Sequence, residues 1–334
     1  MKNGHVGLVD LDIHTPERLM SAAEISSVSG IPEQVLKEKF GIIGKHVSRS
    51  DEHVSDMCIS AGRKLLERHD AAEIDAVVYF GSHWKDYLVW QAAPKIQHAL
   101  DIEGFSLELI NVSAGAPVAL RVVGDMMRAD ERLKRVLVVG ASKESQLLDY
   151  SDQDSRFMFN FGDGAVAVLL GRDHKENLLL GTSTLTDGSF SDHVRVPGGG
   201  SVNPASQETV TENMHYLQLS DGPEMKRRLD PMTIKNFIKV AREALELSGE
   251  DKANFLLPIH VKRSLHEALL VELGLGRDQA IYLESFGHMS AVDPLFSLKI
   301  ALDEGKIHPG DVILLLAAGT GYTWAASCIK WGGS

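Results

Sequence analysis

The feature that most constrains the fold is a pattern that occurs twice along the chain. Each copy has an apolar run, a helical stretch, a second short run, an apolar helix and a final apolar run ending in glycine. The final runs are Arg135–Gly140 and Asp311–Gly319, and their glycines lie 179 positions apart. The 334-residue chain also exceeds the usual domain length of about 100–200 residues. We therefore predict two related halves, residues 1–172 and 173–334.

The apolar runs predict strands that are buried on both faces. They are rich in Val, Ile and Leu and almost unbroken by polar residues, which is typical of strands covered by helices on both sides. The runs are Ala76–Phe80, Val136–Val139, Ala165–Leu170, Phe255–Ile259 and Val312–Leu316. Helices are predicted over Val54–Arg68, Pro117–Arg128, Phe237–Leu247 and Val261–Leu273. The alternation predicts an α/β fold, duplicated, with five α-β-α-β-α layers and mixed central sheets. Residues near 173–228 fit neither copy and are interpreted as a crossover insertion that covers the site.

Charge and apolar run length exclude several classes of function. Lys and Arg number 34 against 46 Asp and Glu, a net charge of −12, which disfavours nucleic-acid binding. The longest apolar runs, such as Val312–Ala318, are far shorter than the roughly 20 residues that span a bilayer. The N-terminus has no apolar run of signal-peptide length, and two cysteines cannot form a disulfide framework. We expect a cytoplasmic protein that binds neither nucleic acid nor a membrane.

Ser113 is a candidate nucleophile. It lies in the run Asn111-Val112-Ser113-Ala114-Gly115, where a strand gives way to the buried helix. The small residues after it allow a tight turn and the close approach of another group. A helix N-terminus favours negative charge, which suits a nucleophile and its oxyanion. The alternative is that Ser113 is the N-cap of this helix, a common role for serine.

Two histidines follow apolar runs in the second half. His260 ends one strand, and ligands of open α/β sheets bind at the carboxyl ends of strands. His288 lies at another strand-to-helix passage, and Asp293 follows it by five residues. A carboxylate at this position can orient the imidazole and fix its tautomer. No compact spacing such as H-x-x-x-H is present, so no metal site is predicted.

Two glycine clusters complete the candidate site. Gly319-Thr320-Gly321 follows the last strand, where backbone N–H groups can face a developing oxyanion. The run Phe161–Ala165 precedes another strand and is interpreted as a tight turn. Neither cluster has the pattern of a nucleotide-binding loop.

Taken together, these segments resemble the β-ketoacyl-acyl carrier protein synthase III branch of the thiolase superfamily. The resemblance covers nearly the whole chain. The matching segments are Phe40-Gly41-Ile42, Val138-Val139-Gly140-Ala141, Phe161-Gly162-Asp163-Gly164-Ala165, Gly198-Gly199-Gly200-Ser201, Glu304–Asp311 and Gly319-Thr320-Gly321-Tyr322-Thr323-Trp324. It implies a homodimer and acyl transfer from a phosphopantetheine thioester, on coenzyme A or an acyl carrier protein, with no permanently bound cofactor.

The chain departs from this family at its catalytic positions. Ser113 occupies the place of the nucleophilic Cys, and His288 occupies the place of the Asn. His260 matches the family's His, but the usual H-Q-A-N run is here His260-Val261-Lys262-Arg263. The pattern is instead similar to a polyketide acyltransferase subgroup that uses Ser or Cys, His and Asp. In that subgroup the matching residues are Ser113, His288 and Asp293.

These departures predict an acyltransferase acting through an acyl-Ser113 intermediate. His288 is the expected base, Asp293 orients it, and the backbone N–H groups of Ser113 and Thr320 form the oxyanion hole. His260 assists by polarising a carbonyl or the small-molecule acceptor. Loss of the Asn disfavours condensation, since that residue helps to stabilise a thioester enolate. The alternatives are a 3-oxoacyl synthase III that performs Claisen condensation and a catalytically silent protein that binds an acyl carrier.

The donor is less sharply indicated. The family's adenine-clamping Trp and Arg fall near Val35 and Ser155, and Arg156 lies next to the latter, so the Trp is missing. This favours an acyl carrier protein, which is acidic and docks on basic surface. The evident basic clusters are Lys226-Arg227-Arg228 and Lys262-Arg263, for which a solvated surface is the alternative interpretation.

Overall fold

A computed structural model describes residues 4–333, which contain 13 strands and nine α-helices. The strands are β1 (Val6–His14), β2 (Arg18–Ser21), β3 (Gly44–Val47), β4 (Ala76–Tyr79), β5 (Phe105–Glu108), β6 (Arg135–Ser142), β7 (Gly164–Arg172), β8 (Glu176–Thr186), β9 (Val194–Arg195), β10 (Gln218–Leu219), β11 (Phe255–Pro258), β12 (Val312–Gly319) and β13 (Thr323–Gly333). The helices are α1 (Ala22–Ser29), α2 (Glu33–Val35), α3 (Val54–Leu66), α4 (Ala92–Ala99), α5 (Gly115–Ala129), α6 (Gln207–Thr211), α7 (Gly222–Ser248), α8 (Arg263–Leu273) and α9 (Asp293–Asp303).

Nine strands form one mixed sheet. Read outward from the junction of β1 and β8, the two halves have corresponding strand orders. The order is β11-β12-β13-β8-β1-β7-β6-β4-β5. In the first half β4 pairs in parallel with β5 and β6, whereas β6, β7 and β1 are antiparallel neighbours. In the second half β11 pairs in parallel with β12, and a parallel bridge from Leu256 to Ala280 occupies the place that β5 has in the first. The halves join where β1 meets β8 at Gly7 and Leu178. The predicted duplicated thiolase-like fold is confirmed.

Alternate residues of each strand belong to different layers, as the period of two requires. On β4, Val78 belongs to the cluster that also contains α5 and α9, whereas Val77 belongs to the cluster with α3 and α4. On β12, Leu315 belongs to the same central cluster, whereas Leu314 packs with α7 and α8. Helices α5 and α9 therefore lie between the two halves of the sheet, and the other pairs cover its outer faces.

The predicted strands are confirmed, but two elements differ from the sequence prediction. Helix α7 begins at Gly222 rather than Phe237, with Asp221 as its N-cap and a Pro at its first turn. The segment 173–228 also does more than cover the site, because β8 lies in the middle of the sheet between β13 and β1. Many residues of β8 are only half-buried, so the strand lacks the continuous apolar run that marks the others.

Asp163, in the glycine-rich run before β7, hydrogen-bonds to the segments that follow β3 and β6. Its buried carboxylate accepts hydrogen bonds from the backbone N–H and hydroxyl of Ser48, both at 2.8 Å. It also accepts from the N–H of Ser145 at 3.1 Å and from its hydroxyl at 2.7 Å. The turn after β6 is thereby fixed against the segment that follows β3.

We expect Asp163→Ala to destabilise the fold, because it leaves the donors of Ser48 and Ser145 unpaired. The free energy of unfolding should fall by about 3 kcal/mol, since each unsatisfied buried donor costs roughly 1–3 kcal/mol. Ser145→Ala removes a single side-chain donor and should cost only about 1 kcal/mol. Denaturant unfolding of both variants measures the difference. Equal stabilities of the two variants would contradict this role of Asp163.

Candidate active site

Ser113 lies in a short 3₁₀ turn, Val112–Ala114, immediately before α5. Its side chain does not cap the helix, because the N-cap is Ala114 and no side-chain cap bond is made. The N-cap interpretation is therefore wrong. Val112 has a φ of 43°, a strained conformation for a β-branched residue of the kind that clusters at functional sites. The turn leaves Ser113 buried, with 7% of its surface exposed.

A chain of two side-chain hydrogen bonds runs from Ser113 through His288 to Asp293. The Ser113 Oγ lies 2.9 Å from His288 Nε2, and His288 Nδ1 lies 2.6 Å from Asp293 Oδ2. The carboxylate fixes the proton on Nδ1 and leaves Nε2 as the acceptor for the serine proton. The structure thus brings together three residues whose roles were predicted from the sequence.

Asp293 is held by backbone donors on both of its oxygens. Oδ1 accepts from the N–H of Met289 at 2.6 Å, and Oδ2 accepts from the N–H of His260 at 2.7 Å as well as from His288. The residue is fully buried at the first turn of α9. His260 therefore fixes the carboxylate through its backbone, a contact that its position at a strand end did not reveal.

The segment that carries His288 packs closely on the run before β7. The His288 N–H donates to the carbonyl of Asn160 at 2.9 Å, and the Gly162 N–H donates back to the His288 carbonyl at 2.9 Å. Gly287 has a φ of 73°, and a Cβ there would overlap the Asn160 carbonyl, so glycine is required. The Phe161 ring meets the His288 imidazole edge-on at 4.9 Å. The run Phe161–Ala165 is therefore part of the site as well as a turn.

Lys45 also stabilises the run before β7 where it packs against His288. Its fully buried ammonium donates to the carbonyls of Phe159 at 2.8 Å and Phe161 at 2.6 Å, which flank Asn160. Burial lowers the pKa of Lys45 to about 7, with the charge of Asp163 opposing the shift. The sequence does not predict this role of Lys45, because the carbonyls that it binds lie more than 110 residues away along the chain.

The two site histidines have opposite electrostatic environments. Burial disfavours the charged form of His288, but the charge and hydrogen bond of Asp293 and the charge of Glu144 outweigh it and raise its pKa. Burial lowers the pKa of His260 to about 4, although Asp293 and the Phe40 carbonyl oppose the shift. Within residues 4–333, neither ring nitrogen of His260 has a hydrogen-bond partner. His260 is therefore a neutral imidazole beside His288, with the Phe40 carbonyl near its ring.

Gly319 allows the end of β12 to pack against the turn that carries Ser113. A Cβ at Gly319 would lie 2.9 Å from the Ala114 nitrogen and 3.0 Å from the Ser113 nitrogen, so only glycine permits this approach. Thr320 follows directly. Within the described part of the chain, the N–H groups of Ser113 and Thr320 donate to no other backbone group. Both N–H groups are free to donate, as the oxyanion-hole prediction requires, and their role stays a prediction.

Glu144 is a site residue that sequence reasoning missed. It lies in a 3₁₀ turn after β6, is 7% exposed and affects the pKa of His288. A glutamate between Lys143 and Ser145 has the pattern of an exposed turn, so the sequence gave no indication that it is buried.

The basic residues predicted for carrier docking divide into two groups. Lys226, Arg227 and Lys262 are exposed, and none of them has an ion pair among residues 4–333. Arg228 is stacked on the Phe190 ring, with its guanidinium carbon 4.4 Å from the ring centroid. Arg263 donates to Glu284 at 2.8 Å and is stacked on a tyrosine ring.

The two cysteines are poor candidates for a second nucleophile. Cys58 is fully buried, and burial raises the pKa of its thiol well above the usual value. Cys328 is also buried, and burial raises its pKa to about 11. A buried thiol with a raised pKa is a poor nucleophile. Near the positions expected for an adenine clamp, Ser155 is buried and Arg156 is exposed.

Residues 4–333 contain neither a membrane-spanning helix nor a cluster of metal ligands. No α-helix there has the length and apolar character needed to cross a membrane. No group of three or more His, Cys, Asp or Glu side chains in this range is placed to hold a metal ion.

Two parts of the chain match known sequence families. Residues 107–188 match 3-oxoacyl-[acyl-carrier-protein (ACP)] synthase III, and residues 246–331 match 3-oxoacyl-[acyl-carrier-protein (ACP)] synthase III C terminal. A similar curated relative is the beta-ketoacyl-[acyl-carrier-protein] synthase III of Solibacter usitatus. It is 29% identical over 333 residues, covering 96% of this chain and 97% of the relative.

Solved structures agree with the sequence matches. The crystal structure of β-ketoacyl-[acyl carrier protein] synthase III from Thermus thermophilus has a TM-score of 0.84 at 25% identity, covering 98% of this chain and 100% of that one. The priming β-ketosynthase of the R1128 polyketide biosynthetic pathway has a TM-score of 0.83 at 22% identity, with 98% and 97% covered. At that lower identity the second likeness shows the fold alone.

We expect the two site histidines to titrate far apart. The carboxylates of Asp293 and Glu144 stabilise the imidazolium, so His288 should remain protonated above the usual pKa of about 6.5. His260 should stay neutral until the pH falls to about 4. Titration of the imidazole C–H resonances by NMR measures both, with His288→Asn and His260→Asn variants to assign them.

Asp293→Asn is the matched test of the cause. It removes the charge next to Nδ1 but keeps the size of the side chain, so the pKa of His288 should fall. A His288 pKa that stays unchanged in this variant would contradict the assignment of Asp293 as the dominant partner.

Proposed function

We propose that this chain, which belongs to the 3-oxoacyl-[acyl-carrier-protein] synthase III family of the thiolase superfamily, moves an acyl group from a thioester through an ester on Ser113. The observation that carries the proposal is the hydrogen-bonded relay of Ser113, His288 and Asp293, at 2.9 and 2.6 Å. A serine hydroxyl ionises far less readily than a thiol and needs an adjacent base to act as a nucleophile. The relay supplies that base.

The acylation step follows from the relay. His288 Nε2 takes the proton of Ser113 Oγ while Oγ forms a bond to the thioester carbonyl carbon. The carbonyl oxygen becomes an oxyanion, which the N–H groups of Ser113 and Thr320 stabilise. The carbon–sulfur bond then breaks, and the leaving thiolate takes the proton from His288.

The transfer step runs the same sequence with an acceptor. His288 takes the proton of an acceptor hydroxyl or thiol, whose oxygen or sulfur attacks the Ser113 ester. The carbon–oxygen bond to Ser113 breaks, and His288 returns the proton to Oγ. His260, which is neutral, donates from one ring nitrogen to the acceptor or the carbonyl oxygen.

Condensation of the synthase III type is the second candidate, and the names of the relatives favour it. Those relatives are called 3-oxoacyl or beta-ketoacyl synthases, which form carbon–carbon bonds. In this chain Ser113 replaces the nucleophilic Cys of the resembled family, and His288 replaces its Asn. An oxygen ester is a less reactive acyl donor toward a carbanion, and the enolate loses the amide that would stabilise it. These two replacements favour transfer to a hydroxyl or thiol.

We infer that the donor is an acyl carrier protein or coenzyme A thioester. The names of the relatives include the acyl carrier protein. Lys226, Arg227 and Lys262 offer exposed positive charge on an otherwise acidic chain, which suits an acidic carrier. No permanently bound cofactor is required by the relay.

We also infer a homodimer. Strand β5 lies at one of the two edges of the sheet and carries the exposed Phe105. The segment before α4 exposes Tyr87, Leu88 and Val89, which together form an apolar surface. An unpaired edge next to exposed apolar side chains is typical of a surface that another chain covers.

Acylation of Ser113 is the first expected outcome. Incubation with a panel of acyl thioesters should add one acyl mass to the intact chain, and Ser113→Ala should abolish the addition. The matched control is a Cys58→Ser, Cys328→Ser double variant, which should acylate like the native chain. An adduct that persists in Ser113→Ala would refute the assignment. So would the absence of an adduct when the native chain is incubated with every thioester of the panel. The second result would favour a silent carrier-binding protein.

The second expected outcome is acyl transfer without carbon–carbon bond formation. An acyl thioester supplied with malonyl carrier protein should give little 3-oxoacyl product, because removing one oxyanion donor alone costs ~10²–10³ in rate. The same donor supplied with hydroxyl or thiol acceptors should give the transferred acyl group. Products are identified by mass.

Two variants sharpen this test. His288→Asn removes the base and should lose acylation of Ser113. The double variant Ser113→Cys, His288→Asn restores the residues of the resembled family and should gain condensation. Native formation of a 3-oxoacyl product at a rate equal to simple transfer would overturn the proposal in favour of the synthase.

A further inference from the structure

We propose that Glu144 is a positioning residue for acyl transfer, giving His288 a second negative partner beside Asp293 when the imidazole takes the proton of Ser113. This inference rests on the function proposed above. Glu144 acts only through His288, and no bond to the substrate is assigned to it.

The turn that carries Glu144 is fixed on both sides. Ser145, next in the chain, donates from its N–H and hydroxyl to the buried Asp163. Lys143, on the other side, donates from its ammonium to the Arg49 carbonyl at 2.9 Å and to the Glu52 carbonyl. The Glu144 side chain is therefore held at its buried position rather than free to swing into solvent.

Within residues 4–333, the Glu144 carboxyl accepts hydrogen bonds from two hydroxyl groups. Oε1 accepts from the Ser82 hydroxyl at 2.7 Å, and Oε2 accepts from the Ser142 hydroxyl at 3.3 Å. Among residues 4–333, no Lys or Arg forms an ion pair with Glu144. A buried carboxylate without a cation is costly, and buried charges in proteins are normally paired. The charged form of His288 is the partner that this site can supply.

The coupling between Glu144 and His288 acts in both directions. Burial raises the pKa of Glu144, whereas the Ser82 hydrogen bond and the charge of His288 lower it. Glu144 in turn contributes to the raised pKa of His288, after the larger effects of burial and Asp293. Each charged form therefore stabilises the other, so the imidazolium is favoured when Glu144 is ionised.

Hydrogen bonds of Ser142 link the Glu144 turn to the segment that carries His288. The Ser142 hydroxyl donates to Glu144 Oε2 and to the Gly162 carbonyl, both at 3.3 Å, and the Gly162 N–H donates to the His288 carbonyl at 2.9 Å. Ser290 lies in the same segment as His288. It is fully buried two residues after His288, with a φ of 53°, and its hydroxyl has no hydrogen-bond partner of ordinary geometry within residues 4–333. The Ser290 hydroxyl is one of the weaker influences that lower the pKa of the Glu144 carboxyl against the larger effect of burial. The turn after β6 and the segment that carries His288 thus face one another.

Other charged or titratable groups at the site do not replace Glu144. Asp293 faces the opposite ring nitrogen from Ser113 and is already bonded to two backbone N–H groups. His260 is neutral, because burial lowers its pKa to about 4. Tyr79, which also senses the charge of Glu144, is buried with a strongly raised pKa and donates to the Ser82 carbonyl.

The consequence for the reaction is a lower barrier to proton transfer. When Ser113 Oγ attacks, its proton moves to His288 Nε2 and the imidazole becomes positive. Asp293 and Glu144 both stabilise that charge until the proton leaves with the thiolate. Glu144 gains and loses no bond in this sequence.

Glu144→Gln is the variant that tests the proposal, because it removes the charge and keeps an oxygen to accept from Ser82. Single-turnover acylation is measured against pH. The kinetic pKa of His288 should fall by about one unit, and the rate at high pH by about tenfold, since one unit equals one factor of ten in equilibrium. Glu243→Gln on α7, which also removes a charge that accepts from a serine hydroxyl but has no link to this turn, should leave both unchanged.

A measurement on the native chain covers the case in which Glu144→Gln fails to fold. With ¹³C-labelled glutamate, the Glu144 carboxyl resonance should shift with the same midpoint as the His288 imidazole. The NMR measurement needs no turnover, so failure of acylation would leave it interpretable. Acylation by the native chain with a pH profile that Glu144→Gln does not move, or a Glu144 resonance that ignores His288, would overturn the proposal.

Discussion

The geometry of the site depends on the hydrogen bonds of one buried carboxylate, that of Asp293. It accepts from His288 Nδ1 and from the backbone N–H groups of His260 and Met289, so three hydrogen bonds fix it at the start of α9. Full burial excludes water from these bonds, which makes each of them stronger than at a surface. Loss of this one carboxylate would free the imidazole, remove the preference for one tautomer and leave two buried N–H groups unpaired.

Duplication of the fold explains how distant parts of the chain meet. The first half delivers Ser113 at the start of α5, and the second half delivers His288 and Asp293 at the start of α9. These two helices lie between the halves of the sheet, so their N-terminal turns come together. The hydrogen bond between Ser113 and His288 spans 175 positions of sequence and needs both halves in place.

The strands and the relay could be predicted from the sequence because their signals are local. The apolar runs mark the strands, and the five-residue spacing of His288 and Asp293 lies within one turn-to-helix segment. Glu144 and Lys45 could not be predicted, since their roles come from burial against segments far away along the chain. Strand β8 was hidden for a related reason, because its half-buried polar residues resemble a loop. The early start of α7 depends on the Asp221 cap, in a segment interpreted from the sequence as a crossover insertion.

We propose that the protonation state of His288 governs acyl transfer by Ser113. Its most direct test compares two midpoints on the same native protein: the pH at which single-turnover acylation falls by half, and the pH at which the His288 resonances titrate. The two midpoints should coincide above the usual histidine pKa of about 6.5, with the rate falling as the pH drops. An acylation rate that stays constant while His288 titrates would contradict it.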